Sequence, residues 1–177
     1  MKKIAKSITL VLGLSVLIYI VYITISLFTY TSSWSRGLLG QDDIEAIFAR
    51  DYEVLEMITE YLVESSYDDI WIGDSMNKGV AYTRNGAKVY ISDQEIVQLI
   101  EVLKSRNYQS IDKRSITISF SIGGIKDKDR GIVYCQCIED IEIDFLTKIV
   151  KLDIDNWYYF EADYDEWRII NQKKKSN

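Results

Sequence analysis

The sequence predicts an α+β fold, in which an N-terminal transmembrane helix precedes a mainly antiparallel sheet with two helices packed on one face. Three observations predict it: an uncharged apolar segment over residues 8–28, two later segments with the apolar period of helices, and several short runs with the alternation of strands. A chain of 177 residues has room for one domain of ordinary size in addition to the apolar segment.

The first predicted element is a membrane span. The segment from Ile8 to Phe28 consists almost wholly of Ile, Leu, Val, Tyr, Ser and Thr, and no charged residue lies between Ser7 and Ser35. As a helix this segment is about 31 Å long, close to the ~30 Å of a hydrocarbon core. A cleavable signal peptide has a shorter apolar region, but the small residues around Ser33 leave cleavage there as an alternative.

The basic residues around the span predict its orientation. Lysines precede it at positions 2, 3 and 6, whereas Arg36 is the only basic residue soon after it. By the positive-inside tendency, the protein is a single-pass protein of the cell membrane with a cytoplasmic N-terminus. Tyr30 and Trp34 are then expected at the outer membrane interface. We therefore divide the chain into a stub and anchor (1–36), an extracytoplasmic α+β domain (37–172) and a basic disordered tail (173–177).

Two helices and a hairpin are predicted in the first part of the domain. Asp42 and Glu45 form a capping pair before an amphipathic helix over residues 43–65, and Ser92 and Glu95 form a second before a helix over residues 93–106. Asn107 can take the left-handed conformation that ends the second helix. Between the helices, residues 70–72 suggest a strand, and the Asn-Gly dipeptide at 85–86 predicts a hairpin with a two-residue turn.

The second part of the domain is predicted to be all strand. Residues 115–122 alternate strictly, which places Ile116, Ile118, Phe120 and Ile122 inward and the intervening Ser and Thr outward. Residues 131–137 return as the partner strand. Further strands are predicted over residues 147–153, 157–162 and 167–170. A cystatin-like or nuclear-transport-factor-like sheet would be one such arrangement, as an analogy of fold only.

Composition excludes several functions. All 27 acidic residues but only 17 of the 21 basic ones lie beyond residue 36, and such a surface repels nucleic-acid phosphates. A protein or peptide with a basic surface is a better electrostatic match. The chain has no His, which excludes His-dependent triads, His general bases and His-ligated metal, and we predict no cofactor.

Two short patterns are interpreted as structural. Cys135 and Cys137, the only cysteines, would share one face of a strand as small buried side chains, with redox sensing as the alternative. Asp127, Asp129 and Gly131 begin like a calcium loop. Ile138 occupies the position that requires a bidentate Glu, so a charged hairpin loop is predicted instead.

The segment from residue 153 to residue 167 holds the candidate site residues. Its carboxylates could crowd together to bind a metal ion or to raise one pKa for acid catalysis: Asp153, Asp155, Glu161, Asp163, Asp165 and Glu166. Its aromatic residues could contact a sugar or a cationic peptide: Trp157, Tyr159, Tyr164 and Trp167. The competing interpretation is that the aromatic run simply fills the space between a sheet and a helix.

The leading functional hypothesis is a membrane-anchored, non-enzymatic module that binds a protein or peptide at the outer face of the membrane. Three features motivate this hypothesis: the predicted span, the short linker after it, and the lack of recognisable catalytic apparatus. The span is expected to contact the lipid bilayer through residues 8–28. The alternatives are a carboxylate-based or metal-dependent hydrolase that acts on a cell-surface polymer, and an immunity or inhibitor protein that blocks a basic target.

Overall fold

The computed structural model describes residues 39–73, 79–125 and 128–175. In chain order the elements are α1 (Gln41–Glu64), β1 (Asp69–Ile72), β2 (Val80–Tyr82), β3 (Lys88–Tyr90), α2 (Gln94–Ser105), β4 (Ser110–Arg114), β5 (Thr117–Ile125), β6 (Lys128–Tyr134), β7 (Leu146–Lys151), β8 (Trp157–Asp163) and α3 (Tyr164–Lys175). The strands form one sheet in the order β3-β2-β1-β4-β5-β6-β8-β7, and every neighbouring pair is antiparallel. The predicted antiparallel α+β fold is thus confirmed.

Helices α1 and α2 pack on the same face of this sheet, where they bury the main core. Trp157 of β8 lies at its centre, with its ring 5.3 Å from Phe48 of α1 and 6.1 Å from Phe120 of β5. The strand predicted over residues 157–162 is confirmed, and its side chains alternate between the two faces of the sheet. Trp157 and Tyr159 belong to this core, whereas Tyr158 and Phe160 belong to a smaller apolar cluster on the opposite face.

Helices α1 and α2 both begin near their predicted caps, but the capping hydrogen bonds are made by other residues than those predicted. The Asp43 carboxylate accepts a hydrogen bond from the Gly40 N–H at 3.0 Å, so α1 begins before Asp42. Asp93, rather than Ser92, caps α2, because its carboxylate accepts from the N–H groups of Glu95 and Ile96. Asn107 has a φ of 70°, which confirms the left-handed residue after α2.

The predicted hairpin is present between β2 and β3, with a longer turn than expected. The Thr83 N–H donates to the Ala87 carbonyl at 2.9 Å, which leaves residues 84–86 as a three-residue loop. Only Gly86 in this loop has a positive φ, of 82°. A type I turn followed by a left-handed glycine explains this geometry, whereas a two-residue type I′ turn would need positive φ at both Asn85 and Gly86.

The structure corrects the prediction for residues 108–122. Strand β4 was not predicted, and β5 begins only at Thr117. Ile116, expected inside, is 45% exposed, because it lies with Ser115 (φ 52°) in the turn between β4 and β5. Thr117, expected outside, is buried because its hydroxyl donates to the Asp140 carbonyl at 2.9 Å.

Two further predictions were wrong. The strand predicted over residues 167–170 is part of α3, which begins where the Asp163 carboxylate accepts a hydrogen bond from the Glu166 N–H at 3.0 Å. The helix extends to Lys175. Strand β6 ends at Tyr134, so Cys135 and Cys137 do not share a strand face: Cys135 is buried and Cys137 is exposed.

Candidate functional site

A cleft of about 550 Å³ lies on the face of the sheet that α1 and α2 leave uncovered. We call it the sheet cleft. It is lined by side chains of five strands, by the loop before β7 and by the first residue of α3: Trp71, Ser110, Asp112, Ser119, Ser121, Lys128, Asp129, Glu142, Ile143, Asp144, Phe145, Phe160, Ala162 and Tyr164. Its volume falls within the range of ~300–1,000 Å³ that is common for ligand pockets.

Strand register places these residues side by side. Trp71 of β1 pairs with Asp112 of β4, which pairs with Ser119 of β5, so the three side chains form one row across the sheet. A second row joins Ser110, Ser121, Gly131 and Phe160, since each pairs with the next across β4, β5, β6 and β8. The cleft floor therefore comes from residues far apart in sequence.

Two local irregularities shape the floor. The register of β5 and β6 shifts between Ser121 and Gly123, which leaves Ile122 as an extra residue of a β-bulge. At Gly131, an added Cβ would lie 2.0 Å from the Phe120 carbonyl oxygen and 2.9 Å from the Phe160 ring. Only glycine at position 131 lets the Phe160 ring lie this close to the strand.

Aromatic side chains stand at two sides of the sheet cleft. On one side, the Trp71 indole is 44% exposed and lies against the backbone of Gly73, where an added Cβ would be 1.9 Å from the ring. On the other side, the Phe145 ring lies 4.9 Å from Tyr164 and 5.2 Å from Trp167, both edge-to-face. The rings leave part of their surface open to an occupant of the cleft.

Asp112 and Asp144 share one cation. The Arg114 guanidinium contacts Asp112 at 3.0 Å and Asp144 at 2.9 Å, and so links β4 to the loop before β7. Burial raises the pKa of the Asp112 carboxyl, while the charge of Arg114 and its hydrogen bond act in the opposite direction. Part of the negative charge in the cleft is therefore neutralised internally.

Asp129 has a different environment. Its carboxylate accepts hydrogen bonds from the Ser121 hydroxyl at 2.6 Å and from the Arg130 backbone N–H at 2.8 Å, and both donors are neutral. Among the residues that the structure describes, no cation forms an ion pair with it. Burial raises the pKa of the Asp129 carboxyl, and the two hydrogen bonds only partly offset this.

The carboxylates proposed as a metal site do not converge. Asp153 and Asp155 precede β8, whereas Asp163 is its last residue and Asp165 and Glu166 follow it. A seven-residue strand is roughly 20 Å long. Most of them have a cation of their own: Asp155 pairs with Lys151, Glu161 with Arg130 and Lys148, Asp163 with Lys128, and Asp165 with Arg168. Across residues 39–73, 79–125 and 128–175, no group of three or more potential ligands is placed to hold a metal ion.

The aromatic residues proposed to contact a partner divide into two pairs. Trp157 and Tyr159 are 2% and 0% exposed in the core under α1. Tyr164 and Trp167 lie on α3, where both are exposed and pack against Phe145. Only the second pair is open to a partner.

Some predicted residues lie outside the part of the chain that the structure describes: Asp127 and the predicted membrane segment, with Tyr30 and Trp34. Among the residues that the structure does describe, no helix is long and apolar enough to span a membrane.

Sequence reasoning missed most of the sheet cleft. Trp71 lay in a predicted strand without a role, and Asp112 lay in a stretch with no assigned structure. Asp129 entered only through the calcium-like pattern, which failed for lack of a Glu at its end. A signal for Asp112 did exist, because Ser110, Asp112 and Arg114 alternate with Ile111 and Lys113.

Comparisons with protein-family models, curated proteins and solved structures find no match to this chain. The geometry of the sheet cleft is therefore the basis on which a function can be argued.

Proposed function

We propose that this chain is a single-pass membrane protein whose acidic α+β domain lies outside the cytoplasm and serves as a non-enzymatic binding module. Its partner is a protein or peptide with a basic surface. The location is supported by the apolar segment at residues 8–28 and by the basic residues that precede it. An immunity or inhibitor protein that covers a basic target would be a special case of the same module.

One observation carries the proposal of binding. Among the residues that the structure describes, the sheet cleft is lined by four carboxylates, from Asp112, Asp129, Glu142 and Asp144, and by one lysine, Lys128. The ammonium group of Lys128 already contacts Asp163 at 2.6 Å. Such a surface attracts a cationic partner and repels an anionic one.

The dispersal of the residue 153–166 carboxylates leaves the hydrolase alternative without a specific supporting observation. A glycosidase pair needs two carboxyl groups about 5–9.5 Å apart. Asp155 and Asp163 are separated by the length of β8, and each forms an ion pair. We therefore keep the binding module as the one proposed function.

Cys137 offers a direct test of the location. Its thiol is exposed, Cys135 is buried, and residues 1–36 contain no cysteine, so one position should react. A hydrogen bond to the Glu139 carboxylate raises the pKa of the Cys137 thiol, so a membrane-impermeant maleimide is applied at about pH 8.5. Labelling of intact cells is expected, with Cys137→Ser as the unlabelled control. Labelling only after lysis would overturn the location.

Site-specific photo-crosslinking in intact membranes tests the binding role. A photoreactive residue in place of Ile143 lies in the sheet cleft, whereas one in place of Glu53 lies on the exposed side of α1. We expect a discrete adduct from position 143 that weakens at high salt, and none from position 53. The absence of any adduct from position 143 would count against a binding module.

A further inference from the structure

We infer that the sheet cleft binds a lysine or arginine side chain of a peptide segment. The cationic group of that side chain contacts Asp129, and the apolar groups of the peptide beside it pack against Phe145 and Tyr164. This inference rests on the proposed function and goes further, since it assigns a site and a recognition chemistry.

Two carboxylates of the sheet cleft, Asp129 and Glu142, form no ion pair with a cation among the described residues. Glu142 is exposed to solvent, whereas Asp129 is partly buried and therefore gains more from a cation. Asp112 and Asp144 are held by Arg114 at 3.0 and 2.9 Å, whereas the bonds to Asp129 come from a hydroxyl and a backbone N–H. A cation brought into contact with a partly buried carboxylate that has only neutral donors forms a strong charge-assisted hydrogen bond. Its higher pKa agrees with this environment.

The surroundings of Asp129 suit a peptide side chain better than a bare metal ion. Phe160 and Ala162 of β8 line the same cleft, and both belong to the apolar cluster on this face. Phe145, Tyr164 and Trp71 add ring surface at its sides. Apolar walls with one carboxylate match the long aliphatic stem and charged end of lysine or arginine, and ring faces also attract cations.

The backbone around Phe145 is held in place for such contact. Phe145 has a φ of 59°, a conformation that few residues with a side chain adopt, and its carbonyl accepts the Asp163 N–H at 3.0 Å. This conformation accompanies the edge-to-face contact of the ring with Tyr164. A loop held in this way loses less conformational entropy when a partner binds.

The test uses the full chain in nanodiscs of phosphatidylcholine, a zwitterionic lipid that does not attract cationic peptides. The probe is a fluorescent seven-residue peptide of Gly and Ser that carries one leucine and two lysines. Matched peptides replace lysine by acetyl-lysine or by glutamate. We expect the lysine peptide to bind and the other two to bind at least about tenfold more weakly, because the charge is lost or reversed.

Asp129→Asn is the decisive variant. Its amide can accept from the Arg130 N–H and donate to the Ser121 hydroxyl, so it removes the charge and keeps both hydrogen bonds. Circular dichroism verifies that it folds. We expect about tenfold weaker binding of the lysine peptide, whereas Glu53→Gln, the same charge change on the exposed side of α1, leaves binding within about twofold.

Two results would overturn the inference: equal binding by the Asp129→Asn variant, or equal binding of the acetyl-lysine peptide. Binding of spermidine, a small polyamine, together with no binding of the lysine peptide would exclude a peptide as occupant. These failures are distinct from failure of the proposed function. Position 143 could still form its adduct in membranes while Asp129→Asn leaves the affinity for the lysine peptide unchanged. That result would support the binding module and contradict the assignment of the cation site to Asp129.

Discussion

The Tyr108 hydroxyl donates a hydrogen bond of 3.1 Å to the carboxylate of Asp51, a fully buried acid on the apolar side of α1. The Arg106 guanidinium contacts the same carboxylate, and Arg50 contacts it at 2.6 and 2.8 Å. Because Arg106 and Tyr108 follow α2 directly, this network ties α1 to the end of α2. Both helices thereby keep their positions over the core.

We predict that Asp51→Ala destabilises the domain. The substitution leaves the Tyr108 hydroxyl and the Arg106 guanidinium without their acceptor, and the loss should be roughly 1–3 kcal/mol in the free energy of unfolding, limited because both arginines reach solvent. Urea unfolding followed by tryptophan fluorescence measures it. Glu53→Ala, an exposed acid on the same helix, should change stability by less than about 0.5 kcal/mol. Equal effects of the two variants would show that the network adds no stability.

The stabilisation from Asp51 should disappear in acid. Burial acts to raise the pKa of this carboxyl, but hydrogen bonds from Arg50 and Tyr108 and the charges of Arg50 and Arg106 outweigh burial and hold the pKa below its usual value. A lowered folded-state pKa gives stability that is present above the unfolded value of ~3.9 and is lost as pH falls through the folded value. The difference in unfolding free energy between wild type and Asp51→Asn should therefore be constant near neutral pH and shrink below about pH 4.

Asp129 should show the opposite sign. Burial raises the pKa of its carboxyl, so its ionisation costs more in the folded chain than in the unfolded chain. This cost appears as pH rises above ~3.9 and levels off above the folded-state pKa. Asp129→Asn should therefore equal or exceed wild type in stability at pH 7, and the difference should vanish below about pH 4. Urea midpoints measured across this pH range decide it, and a variant that is less stable at pH 7 would contradict the assigned environment.

Substitutions at Gly131 and Gly123 can be compared to test how tightly the cleft floor is packed. A Cβ on Gly131 would lie 2.0 Å from the Phe120 carbonyl oxygen, whereas one on Gly123 would lie 3.9 Å from its nearest neighbour, Leu39. We predict that Gly131→Ala costs more than about 3 kcal/mol or prevents folding, and that Gly123→Ala stays within about 1 kcal/mol of wild type. Thermal melting followed by circular dichroism compares them, and similar melting temperatures would contradict the close approach of β5 and β6.

The elements that the sequence predicted well are those with a local signal. The hairpin, both α1 and α2, and strand β8 follow from turn residues, capping residues and period, each of which needs fewer than about twenty neighbouring residues. Strand β4 was not predicted, because its inward side carries Lys113 where an apolar residue is expected. The structure explains this choice: the Lys113 ammonium donates to the Ser65 hydroxyl at 3.1 Å, beyond the last turn of α1.

The sheet cleft could not be predicted from local patterns. Trp71, Asp112, Asp129 and Phe160 come together only through the successive pairing of β1, β4, β5, β6 and β8. Single-sequence patterns do not give the order of strands in a sheet. The mistaken strand at residues 167–170 is different, because its signal was present. Asp163 and Glu166 have the capping spacing that correctly marked the region where α2 begins, but the aromatic run before them favoured strand.

Asp163 makes two contacts at the start of α3. The Asp163 carboxylate accepts from the Glu166 N–H at 3.0 Å and also contacts the Lys128 ammonium at 2.6 Å. Asp163→Ala removes the cap and the ion pair, whereas Asp163→Asn removes the ion pair and keeps an oxygen for the cap. Loss of a cap costs about 1 kcal/mol, so hydrogen exchange in residues 164–175 should become about fivefold faster in the alanine variant.

Hydrogen exchange read by mass spectrometry resolves the two contributions. The asparagine variant should exchange close to wild type over residues 164–175, and Glu53→Ala, which alters an exposed acid of α1, serves as the control. Exchange within β7 and β5 should not change in any of the three, since the cap stabilises α3 and not these strands. If the alanine and asparagine variants exchanged equally fast, the ion pair with Lys128 rather than the cap would hold the helix start.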